Sequence, residues 1–260
     1  MKYCLSSRNE KKYLELADEI RVQYRDRNII PDLLEKYPNA DIVLDIFDIE
    51  TEKDWEKIKQ FNILSLGRLV CCVADFGLAM MCKEEDIRFY YGYPIKTYYD
   101  LKSAIDFGCC YVILGAPLFF NMKYIKNTYD IDIRAIPNIA YGDGFPREDG
   151  VCGTWIRPED VEAYEPYVSV MEFEDCDLRK ERALFRIYAQ KQKWSGDLGM
   201  IITNFNHIGT NRMVLPELVE HRLSCRQKCQ EGGSCRACYR TFNLANPELI
   251  KQYMEQKDQL

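Results

Sequence analysis

The sequence predicts an α/β fold, most simply a closed (β/α)8 barrel of the TIM type, and three observations support it. Short apolar runs alternate with helical patterns along most of the 260 residues. Sustained alternation of this kind implies parallel strands joined by right-handed crossovers. Seven strands with a candidate eighth approach the number that closes such a barrel. A doubly wound sheet with a helical C-terminal appendage is the alternative.

The predicted strands are apolar runs bounded by polar residues. They lie at 2–6, 42–46, 69–73, 88–91, 111–114, 133–136 and 168–173, with 200–203 as the candidate eighth, for which a helix is the alternative. Helices are predicted at 10–24, 33–37, from 51 onward, and at 76–83, 98–107, 117–127, 177–190 and 247–256. The first helix depends on apolar residues spaced three and four apart between Tyr13 and Tyr24. Thr51 is expected to cap one helix and Gly108 to end another.

Composition narrows the class of protein. Apolar residues make up 47% and charged residues 29%, as in ordinary globular chains. The net charge of −6 argues against a protein that coats nucleic acid. No apolar run resembles a signal peptide or a membrane span, so a cytoplasmic protein without a membrane partner is expected. In that compartment the twelve cysteines are reduced, and Cys71, Cys72, Cys109 and Cys110 are expected in the core.

Four cysteines near the C-terminus form the most specific motif. Cys225, Cys229, Cys235 and Cys238 follow the spacing C-x3-C-x5-C-x2-C, with two glycines in the loop between them. Four soft sulfur ligands suit either zinc or a [4Fe–4S] cluster, so a metal centre is predicted. Two disulfides or four unrelated thiols are the alternatives. The predicted domains are a barrel at 1–215 and a cysteine-cluster extension at 216–260 packed on it.

A long loop, 134–160, is predicted to form one wall of a substrate site. Loops that keep bulky and charged residues often carry function. Its candidate substrate-binding residues are Arg134, Asn138, Arg147, Trp155 and Arg157, and its candidate catalytic residues are Tyr141 and Asp143. The arginines would bind an anionic group through paired N–H bonds. The alternative is a lid closed by its own salt bridges.

Two aspartates at predicted strand ends complete the candidate catalytic set. Asp45 closes the second predicted strand and Asp75 follows the third. In a barrel, catalytic residues gather at the C-terminal ends of strands. Each could act as a base or a metal ligand, but capping a helix or pairing with an arginine is an equally good explanation.

One stretch resembles a known family. Thr97-Tyr-Tyr-Asp-Leu101, Asp106-Phe-Gly108 and Tyr111-Val-Ile-Leu-Gly115 precede Pro117-Leu118, and Arg134-Ala-Ile-Pro-Asn138 follows. This pattern resembles the barrel proteins first described as collagenase-like peptidases. The resemblance implies an iron–sulfur protein that supports oxygen-independent hydroxylation of nucleobases or small aromatic compounds. The family's cysteines are dispersed through the barrel, whereas four lie in one loop here. The compact chain also resembles proteins that bacteriophages encode.

Two functions are therefore carried forward. The first is a metal-dependent barrel enzyme of the hydroxylase kind, acting on a small molecule or nucleobase. The alternative is a non-enzymatic binding or assembly protein whose C-terminus is stapled by zinc. Basic residues surround the cysteines: Arg222, Arg226, Lys228, Arg236 and Arg240, against Glu231. They are expected to offset thiolate charge at the metal; docking on nucleic-acid phosphates is the less favoured explanation.

Overall fold

The computed structural model of the protein describes residues 1–47, 49, 51–139, 154–194, 198–203, 219, 222 and 223. Its central feature is an eight-stranded sheet in which every pair of strands is parallel. The strands are β1 (Lys2–Ser6), β2 (Glu19–Gln23), β3 (Asp41–Asp45), β4 (Leu69–Val73), β5 (Arg88–Tyr91), β6 (Tyr111–Ile113), β7 (Asp132–Ala135) and β8 (Val170–Glu172).

The sheet is curled into a nearly closed barrel. Its strand order, β5-β4-β3-β2-β1-β8-β7-β6, is the order of the chain arranged around a ring. At the seam the Cys110 N–H donates to the Phe89 carbonyl at 2.9 Å, and the Ile95 N–H to the Ile113 carbonyl at 2.7 Å. A doubly wound sheet would reverse its order at a switch point, and this one does not. The predicted TIM-like barrel is confirmed.

Helices alternate with the strands along the chain. They are α1 (Lys11–Leu14), α2 (Ile30–Lys36), α3 (Glu52–Ser65), α4 (Phe76–Glu84), α5 (Tyr98–Phe107), α6 (Ala116–Phe119), α7 (Met122–Thr128), α8 (Val161–Tyr164) and α9 (Leu178–Ala189). The predicted helix signals are confirmed, because the Thr51 side chain accepts from the Asp54 N–H and Gly108 ends α5 at φ 101°. At positive φ a side chain would be strained, so glycine suits this position.

Three predicted elements are wrong. The segment 10–24 is not one helix, because it holds the short α1 and then β2. In β2, Glu19 and Arg21 alternate with the fully buried Ile20 and Val22, which is the two-residue period of a strand. The helix-like spacing of the apolar residues that begins at Tyr13 and Leu14 had suggested one continuous helix instead. The segment 200–203 is not the eighth strand; it holds the end of a 3-10 turn (Leu198–Met200) and one isolated bridge. The predicted helix 117–127 is divided into α6 and α7.

The chain divides into two compact units. The first comprises 1–113, 131–135 and 168–182 and holds all eight strands. The second comprises 114–130, 136–167 and 183–260, and its described core includes the buried Trp155, Tyr164 and Tyr188. Within it the Tyr188 hydroxyl donates to the Ile156 carbonyl at 2.6 Å. The predicted boundary between a barrel and an extension at 215/216 stays a prediction.

The described cysteines are free thiols. Cys71, Cys72 and Cys109 are buried, which confirms them as part of the core, whereas Cys110 is half-buried at its edge. A hydrogen bond with Cys82, together with burial, raises the pKa of the Cys71 thiol, and burial raises the pKa of the other three, so these thiols stay neutral and pack as small apolar groups. Within the described part of the chain, no helix combines the length and apolarity that crossing a membrane requires.

Candidate active site at the mouth of the barrel

The interior of this barrel is polar. Glu19 on β2 and Arg134 on β7 form an ion pair, although β1 and β8 separate their strands in the sheet. Such a contact is made across the interior. Barrel interiors are usually filled by branched apolar side chains. Charged residues in this position need partners of opposite charge and hydrogen bonds that offset their loss of hydration.

Arg134 is the centre of this buried cluster. Its guanidinium is fully buried and donates to Glu172 Oε2 at 2.7 Å and to Glu19 Oε2. It also lies over the rings of Tyr90 and Tyr111, with 4.5 and 4.9 Å to the ring centroids. The Tyr111 hydroxyl donates to the other Glu19 oxygen at 2.9 Å. These contacts replace water around the buried charges, which would otherwise be very costly to desolvate.

Arg21 extends the cluster toward the C-terminal ends of the strands. Its Nη1 donates to Glu172 and, at 2.9 Å, to Glu174. Its Nε lies 2.9 Å from both carboxylate oxygens of Asp45. An alternating chain of acid and base therefore runs from Glu19 through Arg134, Glu172 and Arg21 to the pair Asp45 and Glu174. We call this chain the ionic column.

The ionic column opens into a cavity of about 630 Å³, the mouth cavity. Ser6, Gln23 and Asp45, which line it, are the last residues of β1, β2 and β3. Gly92 and Glu174, just beyond the ends of β5 and β8, line it as well. The cavity therefore lies at the C-terminal face, where barrel enzymes place their active sites, and its volume suits a small molecule.

The pKa values of three carboxyl groups in the column, those of Asp45, Glu172 and Glu174, are shifted in different directions. Burial raises the pKa of Asp45, and the nearby Glu172 adds to the rise while Arg21 opposes it. Burial and Glu172 raise the pKa of Glu174 in the same way. Burial also opposes ionisation of Glu172, but Arg21 and Arg134 outweigh it, so the pKa of Glu172 is lowered. Carboxyls whose environments push their pKa values in opposite directions are typical of sites that divide acid–base roles between them.

An exposed aromatic ring forms one part of the apolar wall of the mouth cavity. Phe47, which is 43% exposed, lines the cavity next to Gly92. A Cβ at Gly92 would lie 2.5 Å from Phe47 Cζ and 2.7 Å from Cys72 Sγ, too close for any side chain. Because Gly92 has no side chain, the ring of Phe47 can pack directly against its backbone at the cavity wall.

Three of the predicted site residues lie in the first unit. Asp45 is in the mouth cavity, as a catalytic residue would be, and Arg134 is joined to it through Glu172 and Arg21. Arg134 is too deeply buried to touch the cavity directly. Asp75 is exposed and caps α4 by accepting from the Leu78 N–H at 2.9 Å. The catalytic roles of Asp45 and Asp75 stay predictions.

Three others lie in the second unit and are buried. The Asn138 carbonyl accepts from the Thr203 N–H at 2.7 Å, and Trp155 is fully buried. Arg157 is paired with Asp160, with 2.7 Å between Nη2 and Oδ1. This ion pair is of the kind expected from the alternative interpretation of the loop, a lid closed by its own salt bridges. Substrate binding by these residues stays a prediction.

Arg222, three residues before the first cysteine of the motif, also lies in the second unit. It is buried, donates to the Trp155 carbonyl, and places its guanidinium 4.3 Å from the centroid of the Trp155 ring. Such a guanidinium has no access to a nucleic-acid backbone, which removes one of the five basic residues considered for phosphate docking.

Seven predicted residues fall outside the described part of the chain: Tyr141, Asp143, Arg147, Cys225, Cys229, Cys235 and Cys238. Their roles stay predictions. Among the described residues, no group of three or more histidine, cysteine, aspartate or glutamate side chains is arranged to hold a metal.

Arg21, Glu172 and Glu174 were missed by sequence reasoning. Arg21 was assigned to a helix that does not exist, and the alternation of residues 19–23 was the signal that could have placed it.

Comparison with protein-family models and with curated proteins gave no match. The fold and the cavity by themselves define the class of this protein. It is a TIM-like barrel with a charged interior and a polar mouth.

Proposed function

We propose that this chain is an enzyme whose reaction takes place in the mouth cavity, with Asp45 and Glu174 as its acid–base groups. One observation carries the proposal: two carboxyls of raised pKa face a small-molecule cavity at the C-terminal ends of the strands. A carboxyl whose pKa is raised holds a proton more readily than an ordinary one, which suits a group that takes and returns a proton during a reaction.

Each residue of the column has a separate part in this proposal. Asp45 or Glu174 exchanges a proton with the substrate, and Arg21 holds both carboxyls in place through Nε and Nη1. Glu172 stays ionised, and its charge keeps the two outer carboxyls from becoming too acidic. Arg134, which packs on the rings of Tyr90 and Tyr111, pairs with Glu172 from the interior of the barrel and offsets its charge without touching the substrate.

The four cysteines, Cys225, Cys229, Cys235 and Cys238, are proposed to hold a metal centre, either zinc or a [4Fe–4S] cluster. The donor set fits both, and the buried cysteines of the first unit with raised pKa are poor competitors because only thiolates bind metal. When bound, a cluster would supply electrons, whereas zinc would brace the segment. The resemblance to the collagenase-like peptidase family favours hydroxylation of a nucleobase or small aromatic compound. Free thiols throughout the described residues support a reducing, cytoplasmic location.

The proposal is tested by letting the protein select its own substrate. Anaerobically purified protein is incubated with a small-molecule cell extract, and mass spectrometry follows compounds that appear or disappear. Asp45→Asn and Glu174→Gln should abolish the changes, whereas Asp106→Asn, at an exposed carboxylate on α5, should leave them intact. Changes that persist in both cavity variants would place the reaction elsewhere.

Metal analysis of the same preparation separates the two functions carried forward from the sequence. A brown protein with iron and sulfide would support the hydroxylase-like enzyme. A colourless protein with stoichiometric zinc, and no compound altered in any extract, would instead favour the binding or assembly protein.

A further inference from the structure

The mouth cavity presents a hydrogen-bond donor and an acceptor side by side. Arg21 lines the cavity, and its side chain is 20% exposed. Its Nε and Nη1 are used by carboxylates, whereas Nη2 donates to none of the residues that the structure describes. Asp45, 14% exposed, is held at Nε of the same guanidinium. A carboxylate accepts about four hydrogen bonds, so Asp45 retains capacity toward the cavity.

The mainly acidic lining disfavours an anion, and the guanidinium of Arg21 opposes a cation at the pair Asp45 and Glu174. A cation placed at Asp45 and Glu174 would meet the guanidinium of Arg21 that lies between them. An anion placed at Arg21 would meet those two carboxylates and Glu172. A neutral group that both donates and accepts satisfies donor and acceptor together, and a hydroxyl is the smallest such group. Two neighbouring hydroxyls can reach the guanidinium and a carboxylate at the same time.

Phe47 determines what kind of molecule carries those hydroxyls. Its ring is far more exposed than that of Phe173, the other phenylalanine lining the cavity, and Gly92 leaves the space in which it sits. Burying this ring would favour a ligand with one flat apolar face opposite a polar edge. A sugar ring has this shape, with C–H groups on its face and hydroxyls around its edge.

We propose that the mouth cavity binds the vicinal diol of a sugar ring, with the hydroxyls on Arg21 Nη2 and Asp45 and the apolar face on Phe47. The inference deepens the proposed function, since it takes the same cavity as the active site. Free monosaccharides and the ribose of a nucleoside carry the same diol. The cavity volume of about 630 Å³ lies in the usual range of small-molecule sites and accommodates either source.

Titration calorimetry with defined ligands tests the inference. The panel is ribose, glucose, adenosine, 2′-deoxyadenosine and adenosine with its 2′,3′-diol blocked as an acetonide, each raised to the order of 10 mM to reveal weak binding. Saturable binding of a free diol, weakened at least tenfold in the matched deoxy or blocked compound, is expected. Binding of ribose or glucose alone identifies a free sugar, and binding of adenosine alone a nucleoside. Equal binding of free and blocked diols, or no binding by any free diol, overturns the inference.

Variants of the aromatic wall supply the second test. Phe47→Ala should weaken binding about tenfold, and Gly92→Ala should do the same because its methyl group displaces the Phe47 ring. Phe76→Ala, which truncates a 60% exposed phenylalanine that does not line the cavity, is the matched control. Unchanged affinity in both cavity variants would overturn the assignment of Phe47 as the binding face.

The two proposals fail in different ways. A diol that binds but is never converted, in an extract where no compound changes, refutes the enzyme and leaves the binding site standing. Conversion of a compound that lacks a diol, abolished by Asp45→Asn, refutes the diol and leaves the enzyme standing.

Discussion

Replacing Arg134 by methionine is the sharpest perturbation of the barrel interior. Methionine fills much of the same volume but leaves Glu19 and Glu172, 0% and 2% exposed, without their shared cation. Removing one partner of a buried ion pair costs about 3–5 kcal/mol, because the remaining charge stays desolvated. With a slope of about 2 kcal/mol per molar urea, the unfolding midpoint should fall by about 1.5–2.5 M.

The effect should also depend on pH. In the native protein the pKa of Glu172 is lowered, so its contribution to stability is present above the ordinary glutamate pKa and is lost as the pH falls through the lowered value. In the variant Arg21 still faces Glu172 but Arg134 is gone, so the pKa of Glu172 rises from its native value and acid relieves part of the strain. The stability gap should therefore narrow as the pH falls from neutral through the ordinary glutamate pKa and on toward the lowered native value.

Urea unfolding followed by circular dichroism at several pH values measures both effects. Arg8→Met is the control, because the ion pair of Arg8 with Asp26 is 46% and 33% exposed and contributes at most about 1 kcal/mol. A combined variant with Arg134→Met, Glu19→Gln and Glu172→Gln should recover much of the loss, since no buried charge is stranded. A gap below about 1 kcal/mol, or one that does not narrow in acid, would refute the reasoning.

Three other perturbations probe the remaining parts of the chain. Cys238→Ser should lower the metal content measured by elemental analysis, whereas Cys71→Ala, in the core, should not; full retention by the first variant contradicts the four-cysteine centre. Glu172→Gln should lower the pKa of Asp45 in a carboxyl NMR titration, because a nearby negative charge is removed while Arg21 remains; an unchanged pKa would show that burial and Arg21 set it without Glu172. Arg222→Ala should lower the thermal midpoint by several degrees, because a buried guanidinium over an aromatic ring is lost; an unchanged midpoint would count against its anchoring role.

The fold was predictable where strands are apolar on both faces. Leu69–Val73 is buried at every position, and such a run predicts a parallel strand directly. The strand Glu19–Gln23 was not predictable by the same rule, because the residues on its inner face are charged. The barrel interior is polar only because partners from distant strands are present, and a single stretch of sequence does not reveal those partners.

The site was predictable in part for the same reason. Asp45 follows an apolar strand, and its position at a strand end identified it as a candidate. Arg21, Glu172 and Glu174 become meaningful only when β1, β2 and β8 lie side by side, and that adjacency is a property of the closed ring. The long loop drew attention by its composition, yet the residues described at its ends are buried and packed.

The ionic column also bears on how the chain folds as it is synthesised. Glu19 and Arg21 leave the ribosome more than a hundred residues before their partners Arg134, Glu172 and Glu174. Until then the early strands carry charges that cannot be buried, so a nascent half-barrel has little tendency to collapse around them. The last strands bring the missing charges, and the ring can close only then. A polar interior of this kind makes closure a late, all-or-none event and discourages compact states that lack the C-terminal strands.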